Sequence, residues 1–228
     1  MKLIFVRHGH PNYEKDCLTE LGHLHAEAAA ERLKDAGIEK IFSSSCGRAV
    51  ETAEHTAKKI GLQEVTQFDF MREVIWGYTP EGYDAAGHPW NLVDEMIRAG
   101  KNLKAEDWKE TAPFKGNCIC ECTENIAKNL DIWLSELGYT REGDYYRVGE
   151  VKNKTVALFS HGGSSTAALA HLFSLPFPYM LGTVRPDFTA ITVVNFSDVP
   201  GTLTIPEFEL LNDSRHIAGI EAERFYGH

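Results

Sequence analysis

The chain has 228 residues, enough for one substantial core, and carries a formal net charge of −10 at pH 7. That balance excludes a nonspecific nucleic-acid binder, which needs a basic stripe against phosphates, yet it allows a small phosphorylated ligand held by two or three local cations. No apolar run reaches the length of a membrane span, no leader pattern precedes the first apolar segment, and the five cysteines fit reduced thiols, so a cytoplasmic protein without a membrane partner is expected.

Lys2 to Val6 is an apolar run that reads as a buried strand, with Arg7-His8-Gly9 where it ends. A helix is predicted from Leu18-Thr19-Glu20-Leu21-Gly22 to about Asp35, with Thr19 as N-cap and Leu21, Leu24, Ala28 and Leu33 as its apolar stripe. Ile38 to Phe42 reads as a short second strand. A second helix follows from Arg48 to Ile60, packing through Ala49, Thr52, Ala53 and Ala57 and stopped by Gly61. Phe68 to Val74 reads as a third strand and its exit. After Trp76-Gly77 strand signals thin out, and 78–125 reads as an inserted, largely helical lid over the sheet ends. Thr123 to Leu137 resumes a helical period. Tyr145 to Val148 and Thr155 to Phe159 are segments that could pair with each other or flank a turn at Lys152-Asn153. The second of them ends in Ser160-His161-Gly162-Gly163. Ser165 to Phe173 is a short helix, and Thr189 to Phe196 and Leu203 to Leu211 are late strands. An exposed late strand could support a homodimer.

Strands alternating with helices predict an α/β fold: a three-layer α/β/α sandwich on a mostly parallel central sheet, one domain over 1–228. In such a fold ligands bind beyond the carboxyl ends of parallel strands. Arg7, His8, Arg48 and His161 each follow a predicted strand or open the helix after one. Converged, they would form a pocket of two guanidiniums and two imidazoles, suited to a tetrahedral dianion. An imidazole there can attack phosphorus, and the arginines supply the charge stabilisation that a metal otherwise would. No metal and no other cofactor is expected.

Arg7-His8-Gly9, Ser44 with Arg48-Ala49-x-x-Thr52-Ala53, Glu73 and Ser160-His161-Gly162-Gly163, with Leu18-Thr19-x-x-Gly22 at fitting spacing, resemble the histidine phosphatase superfamily, also called phosphoglycerate mutase-like. The similarity covers nearly the whole chain. It implies a phosphohistidine on His8, a phosphate pocket of Arg7, Arg48 and His161, and Glu73 as proton donor to the leaving oxygen. Physical chemistry adds that one ring nitrogen of His8 must be bare while the other donates to a carbonyl, that of Gly9 or a neighbour. Gly162 and Gly163 leave room for phosphate, with the N–H groups of the following helix facing it.

Mutases of this family follow Arg-His-Gly with Glu-Ser-x-Trp-Asn. Here His10-Pro11-Asn12-Tyr13-Glu14 follows, and Glu14 in place of the usual Asn would repel a substrate carboxylate. The pattern looks more like the phosphatase branch, which includes alpha-ribazole and broad-specificity phosphatases. The leading expectation is a phosphomonoesterase acting on a small phosphorylated metabolite. Mutase-type phosphoryl transfer and a non-catalytic phosphoryl-ligand-binding regulatory protein are the alternatives. His10, Glu14 and Arg185 are candidate substrate contacts, with a solvent-facing His10 and a salt-bridged Arg185 as the plainer readings. Glu81 is the nearest spare carboxylate to Glu73. Trp76, Tyr78, Tyr83, Trp90 and Trp108 give the insertion aromatic surface. Cys118, Cys120 and Cys122 would line one face of a strand and could hold a metal, but a fourth ligand is missing, so ordinary thiols are the better reading.

Overall fold

The computed structural model describes residues 1–75 and 89–220. In chain order the first elements are β1 (Lys2–Arg7), β2 (Pro11–Asn12), β3 (Cys17–Leu18), α1 (Glu20–Leu33), β4 (Lys40–Ser44), α2 (Gly47–Ile60) and β5 (Val65–Phe68). Then come α3 (Pro89–Arg98), α4 (Cys118–Glu136), β6 (Tyr139–Glu142), β7 (Tyr145–Val148), β8 (Thr155–Ser160), α5 (Gly162–Leu172) and α6 (Phe177–Thr183). The chain closes with β9 (Ile191–Asn195), β10 (Leu203–Thr204) and β11 (Glu207–Asp213).

The main sheet runs β11-β9-β1-β8-β4-β5. β1, β8, β4 and β5 are mutually parallel, while β9 is antiparallel to β1 and to β11. Side chains alternate across a strand, and here both faces are buried. Leu3 and Phe5 of β1, Val156 and Leu158 of β8 and Phe42 of β4 meet Trp133, Leu134, Leu169 and Leu172 of α4 and α5. Ile4, Val6, Ala157, Phe159 and Ile41 face the other way, onto Leu33, Ala53 and Ala57 of α1 and α2. That is the three-layer sandwich expected. Because β1, β4 and β8 run parallel, their last residues, Arg7, Ser44 and Ser160, share one edge of the sheet. None of the helices described is long and apolar enough to cross a membrane.

Several elements differ from expectation. Phe68 ends β5, and Asp69–Met71 form a 3-10 turn that carries the chain off the sheet edge. The strand thus lies ahead of the predicted range, and Arg72 and Glu73 lie in the irregular exit. β7 pairs with β6 and β10 in a separate three-stranded sheet, so the proposed pairing of Tyr145–Val148 with Thr155–Phe159 does not form. The last predicted strand is split into β10 and β11, and β11 is the edge strand of the main sheet. Within 89–125 the chain forms α3 (Pro89–Arg98), a 3-10 turn at Trp108–Glu110, and the start of α4 at Cys118 rather than Thr123, joined by turns. Leu92, Val93, Met96, Trp108 and Phe114 join the core on the α4/α5 face.

α1 is turned relative to its predicted stripe. Leu24 is 54% exposed, and the buried face is Gly22, His25, Ala26, Ala29, Ala30 and Leu33. Small residues let the helix approach the His8 loop closely. His25 is fully buried, stacks on Phe188 with ring centroids 6.1 Å apart, and has no hydrogen-bond partner on either ring nitrogen among the described residues. Burial, aided by His10 and His216, lowers its pKa to about 4. The unfolded chain therefore binds a proton at His25 that the folded chain refuses. Stability from this group is intact above about pH 6.5 and is lost as pH falls towards 4. His25→Leu is expected to raise stability by about 1–3 kcal/mol, by removing two unsatisfied polar atoms. The gain should be larger at pH 5 than at pH 7.5 in urea unfolding. A gain independent of pH, or a loss at both, would contradict the assignment.

Candidate active site

β1 delivers Arg7 and His8 to the sheet edge. His8 is 1% exposed, and its Nδ1–H donates to Gly9 O at 2.7 Å. That bond, expected from the sequence, fixes the tautomer and leaves Nε2 bare. Arg48 Nε donates to that same Nε2 at 3.4 Å. The backbone turn at Gly9 is held from α2, where Thr52 Oγ1 accepts from Gly9 N–H at 3.1 Å and donates to Arg48 O at 2.7 Å. Thr52 thus ties the His8 loop to the helix that presents Arg48.

β8 brings His161 beside His8, ring centroids 5.1 Å apart in an edge-on arrangement. His161 Nε2 lies 2.8 Å from Ser44 Oγ at the end of β4. The same Ser44 Oγ accepts from Cys46 N–H at 3.2 Å. Arg7 Nη1 donates to Pro186 O at 2.6 Å, and its guanidinium sits 4.4 Å from the centre of the Phe188 ring. Arg7 Nε and His161 Nδ1 are buried with no hydrogen-bond partner among the described residues. Tyr13 lies over the pocket mouth, its ring 5.4 Å from the Arg48 guanidinium and its side chain interacting with Arg7.

Glu73 completes the set from the chain after β5. Its Oε1 accepts from Val74 N–H at 2.9 Å and Ser164 N–H at 3.0 Å, and its Oε2 from Gly163 N–H at 3.4 Å. The amino end of α5 therefore holds a carboxylate of the protein, which corrects the expectation that its N–H groups face phosphate. Gly162 lies against Arg7 and Trp90, and a Cβ there would come within 2.9 Å of the indole. The requirement at Gly162 is close packing under α3.

Electrostatics separates the groups. Burial, then Arg7 and Arg48, hold His8 well below the ordinary imidazole value, against the opposing Gly9 bond. His161 is lowered likewise, by burial and by His8, Arg48, Arg7 and Arg72. Burial raises Glu73, outweighing its three N–H bonds and Arg7. Arg7 is lowered by burial. The site thus combines an imidazole held towards its neutral form beside Arg7 and Arg48 with a carboxyl of raised pKa beside Arg7.

The profile of the histidine phosphatase superfamily (branch 1) matches residues 3–205. The chain is a member of that superfamily. No functionally curated protein matches it. Solved structures share the fold at low identity. YhfR of Bacillus stearothermophilus is 20% identical, with a TM-score of 0.62 over 95% of this chain and 98% of that one. A phosphoserine phosphatase of Entamoeba histolytica, in complex with 3-phosphoglyceric acid, is 21% identical, also at 0.62 over 95% and 98%. A mycobacterial glucosyl-3-phosphoglycerate phosphatase with bound VO3 is 23% identical, at 0.59 over 92% and 98%.

In this histidine phosphatase-family chain the outer candidates fall differently. Arg185 forks onto Asp94 of α3 through both terminal nitrogens, the salt-bridged arrangement. His10 Nδ1 bonds Thr19 Oγ1 at 2.9 Å and its ring meets Phe188, which places it in the support of α1 rather than at the rim. Glu14 is exposed, and the carboxylate on Arg48 is that of Asp16. Trp76, Tyr78, Glu81 and Tyr83 lie outside the described residues. Cys118, Cys120 and Cys122 lie on α4, where alternate residues diverge, so the common strand face does not exist. Cys118 Sγ donates to Ile75 O and Cys120 Sγ to Phe114 O. Asp16, Tyr13 and Phe188 were missed. A carboxylate eight residues after His8 signals nothing until folding brings it to α2.

Proposed function

We propose that this protein is a phosphomonoesterase acting on a small phosphorylated metabolite through a phosphohistidine on His8. The observation that carries the reading is the bare Nε2 of His8, fixed by Gly9 and bracketed by Arg7, Arg48 and His161. In the first step Nε2 attacks phosphorus and the ester P–O bond breaks. Arg7, Arg48 and His161 bind the phosphoryl oxygens, where charge grows. Glu73, whose carboxyl burial shifts towards the protonated form, gives its proton to the leaving alkoxide. Water then attacks phosphorus as Glu73 takes a proton from the water, a P–O bond forms while the P–N bond breaks, and inorganic phosphate and neutral His8 are released. The chemistry calls on no group from outside the chain. The related structures include phosphatases of phosphoserine and of a glucosylated phosphoglycerate, which supports a small phosphate ester as substrate. Residues 89–125, anchored by Arg185–Asp94 and by Trp90 against Gly162, would select the alcohol portion.

The direct test is hydrolysis of p-nitrophenyl phosphate in the presence of a chelator. Release of inorganic phosphate at an undiminished rate is expected. Loss of turnover on chelation, or isomerisation of phosphoglycerate without phosphate release, would contradict the reading.

Gly163 supplies a second check. A Cβ at that position would lie 2.6 Å from Glu73 Oε1, so Gly163→Ala must push the carboxyl aside. Misplacing an acid by about 1 Å costs roughly 10²-fold. The variant is expected to lose about that factor in kcat/KM on an alkyl phosphate while binding orthovanadate within a few-fold of wild type. Equal losses in vanadate affinity and rate would show that Glu73 placement is not what Gly163 protects.

A further inference from the structure

Asp16 carries a charge that the reaction above does not use. It lies between β2 and β3 at φ +49°, a left-handed conformation that Asp tolerates better than most residues. One carboxylate oxygen accepts from Arg48 Nη1, and the other accepts from Gly47 N–H at 2.9 Å. Gly47 opens α2, and Cys46 before it offers no side-chain cap. Asp16 therefore caps α2 from a separate segment. An arginine at a helix amino end attracts an anion unaided, and here the protein has supplied one. The Arg48 guanidinium is shared, with Nη1 on Asp16 and Nε on the bare nitrogen of His8. Glu51 fastens the same hairpin to α2 independently, its Oε2 accepting from Leu18 N–H at 2.6 Å without touching Arg48.

We propose that Asp16 is a positioning residue that sets the anion affinity of the pocket: it holds Arg48 in place and offsets its charge, so that product phosphate leaves readily. The inference rests on the phosphatase reading above. A dianion entering the pocket meets Arg48 and Asp16 together, and removing the carboxylate charge leaves Arg48 uncompensated. The Asp16 side chain is 41% exposed, so salt should screen its influence.

Inorganic phosphate titrated calorimetrically into the wild-type protein, Asp16→Asn, Asp16→Ser and Glu51→Ala tests this. Asn keeps an acceptor for Arg48, and Ser keeps one for Gly47 N–H, so loss of charge is separated from loss of the cap. Both Asp16 variants are expected to bind phosphate about tenfold more tightly at low ionic strength, about 1.4 kcal/mol, with the difference shrinking in high salt. Glu51→Ala should bind as wild type does. An unchanged or weakened affinity in either Asp16 variant, or an equal gain in Glu51→Ala, would overturn the proposal while leaving the phosphatase reading standing. A wild-type pocket that binds no phosphate would overturn both.

Discussion

Replacing His8 by alanine is expected to reduce kcat/KM on every phosphomonoester by about 10⁴-fold or more, because the variant has no nucleophile to split the reaction into two steps. His8 is buried, so truncation leaves a cavity, and a modest fall in thermal stability should accompany the kinetic loss. His8→Asn, closer in size, separates the two effects. It should recover stability and no activity. Arg7, Arg48 and His161 stay in place in both variants, so phosphate should still bind. Turnover within tenfold of wild type in either variant would remove His8 from the nucleophile's role.

Glu73→Gln should divide substrates by their leaving groups. An alkoxide needs a proton as the P–O bond breaks, whereas nitrophenolate leaves without one. Single-turnover phosphorylation of the enzyme by an alkyl phosphate is expected to slow about 10²- to 10³-fold, and by p-nitrophenyl phosphate only a few-fold. The pH dependence follows from the directions of the shifts. His8 is inactive when protonated, and its lowered pKa moves the acid limb of kcat/KM downward. Glu73 is inactive as an acid when ionised, and its raised pKa moves the basic limb upward. The two shifts open a window on the acid side of neutral, where both groups hold the required form. A bell-shaped profile with its maximum there is expected for the alkyl substrate, and Glu73→Gln should lose the basic limb. Equal losses for the two leaving groups would remove Glu73 from the acid role.

Much of this site was legible because its residues stand at the ends of short apolar runs. Lys2 to Val6 and Thr155 to Phe159 can hardly be anything but buried strands, so Arg7, His8 and His161 follow directly. Arg48 follows from a helix start just after a strand. Glu73 falls on the exit from the third strand, but that strand is Val65–Phe68, because Asp69–Met71 turn the chain off the sheet before the apolar run is over. α1 was read with leucines inward, and Leu24 is outside. Contact with the His8 loop selected Gly22 and the alanines, a tertiary demand that periodicity does not register. The three cysteines failed for a similar reason: alternation suggested a strand, while the Asn117 cap, accepting from Ile119 N–H, starts α4 beneath them. Asp16 and the Arg185–Asp94 fork join residues 31 to 91 positions apart and have no local signature.

The central claim is a covalent bond between His8 Nε2 and phosphorus. It is tested most directly by mixing enzyme with a reactive radiolabelled phosphomonoester, quenching in alkali within milliseconds, and mapping the label. Phosphohistidine survives base and is lost in acid, unlike a phosphate ester of serine. The account predicts one base-stable, acid-labile phosphoryl group per chain on the peptide carrying His8, formed and consumed at rates consistent with turnover and absent from His8→Asn. Turnover of the same substrate with no labelled protein at any quench time, or label on another residue, would contradict it.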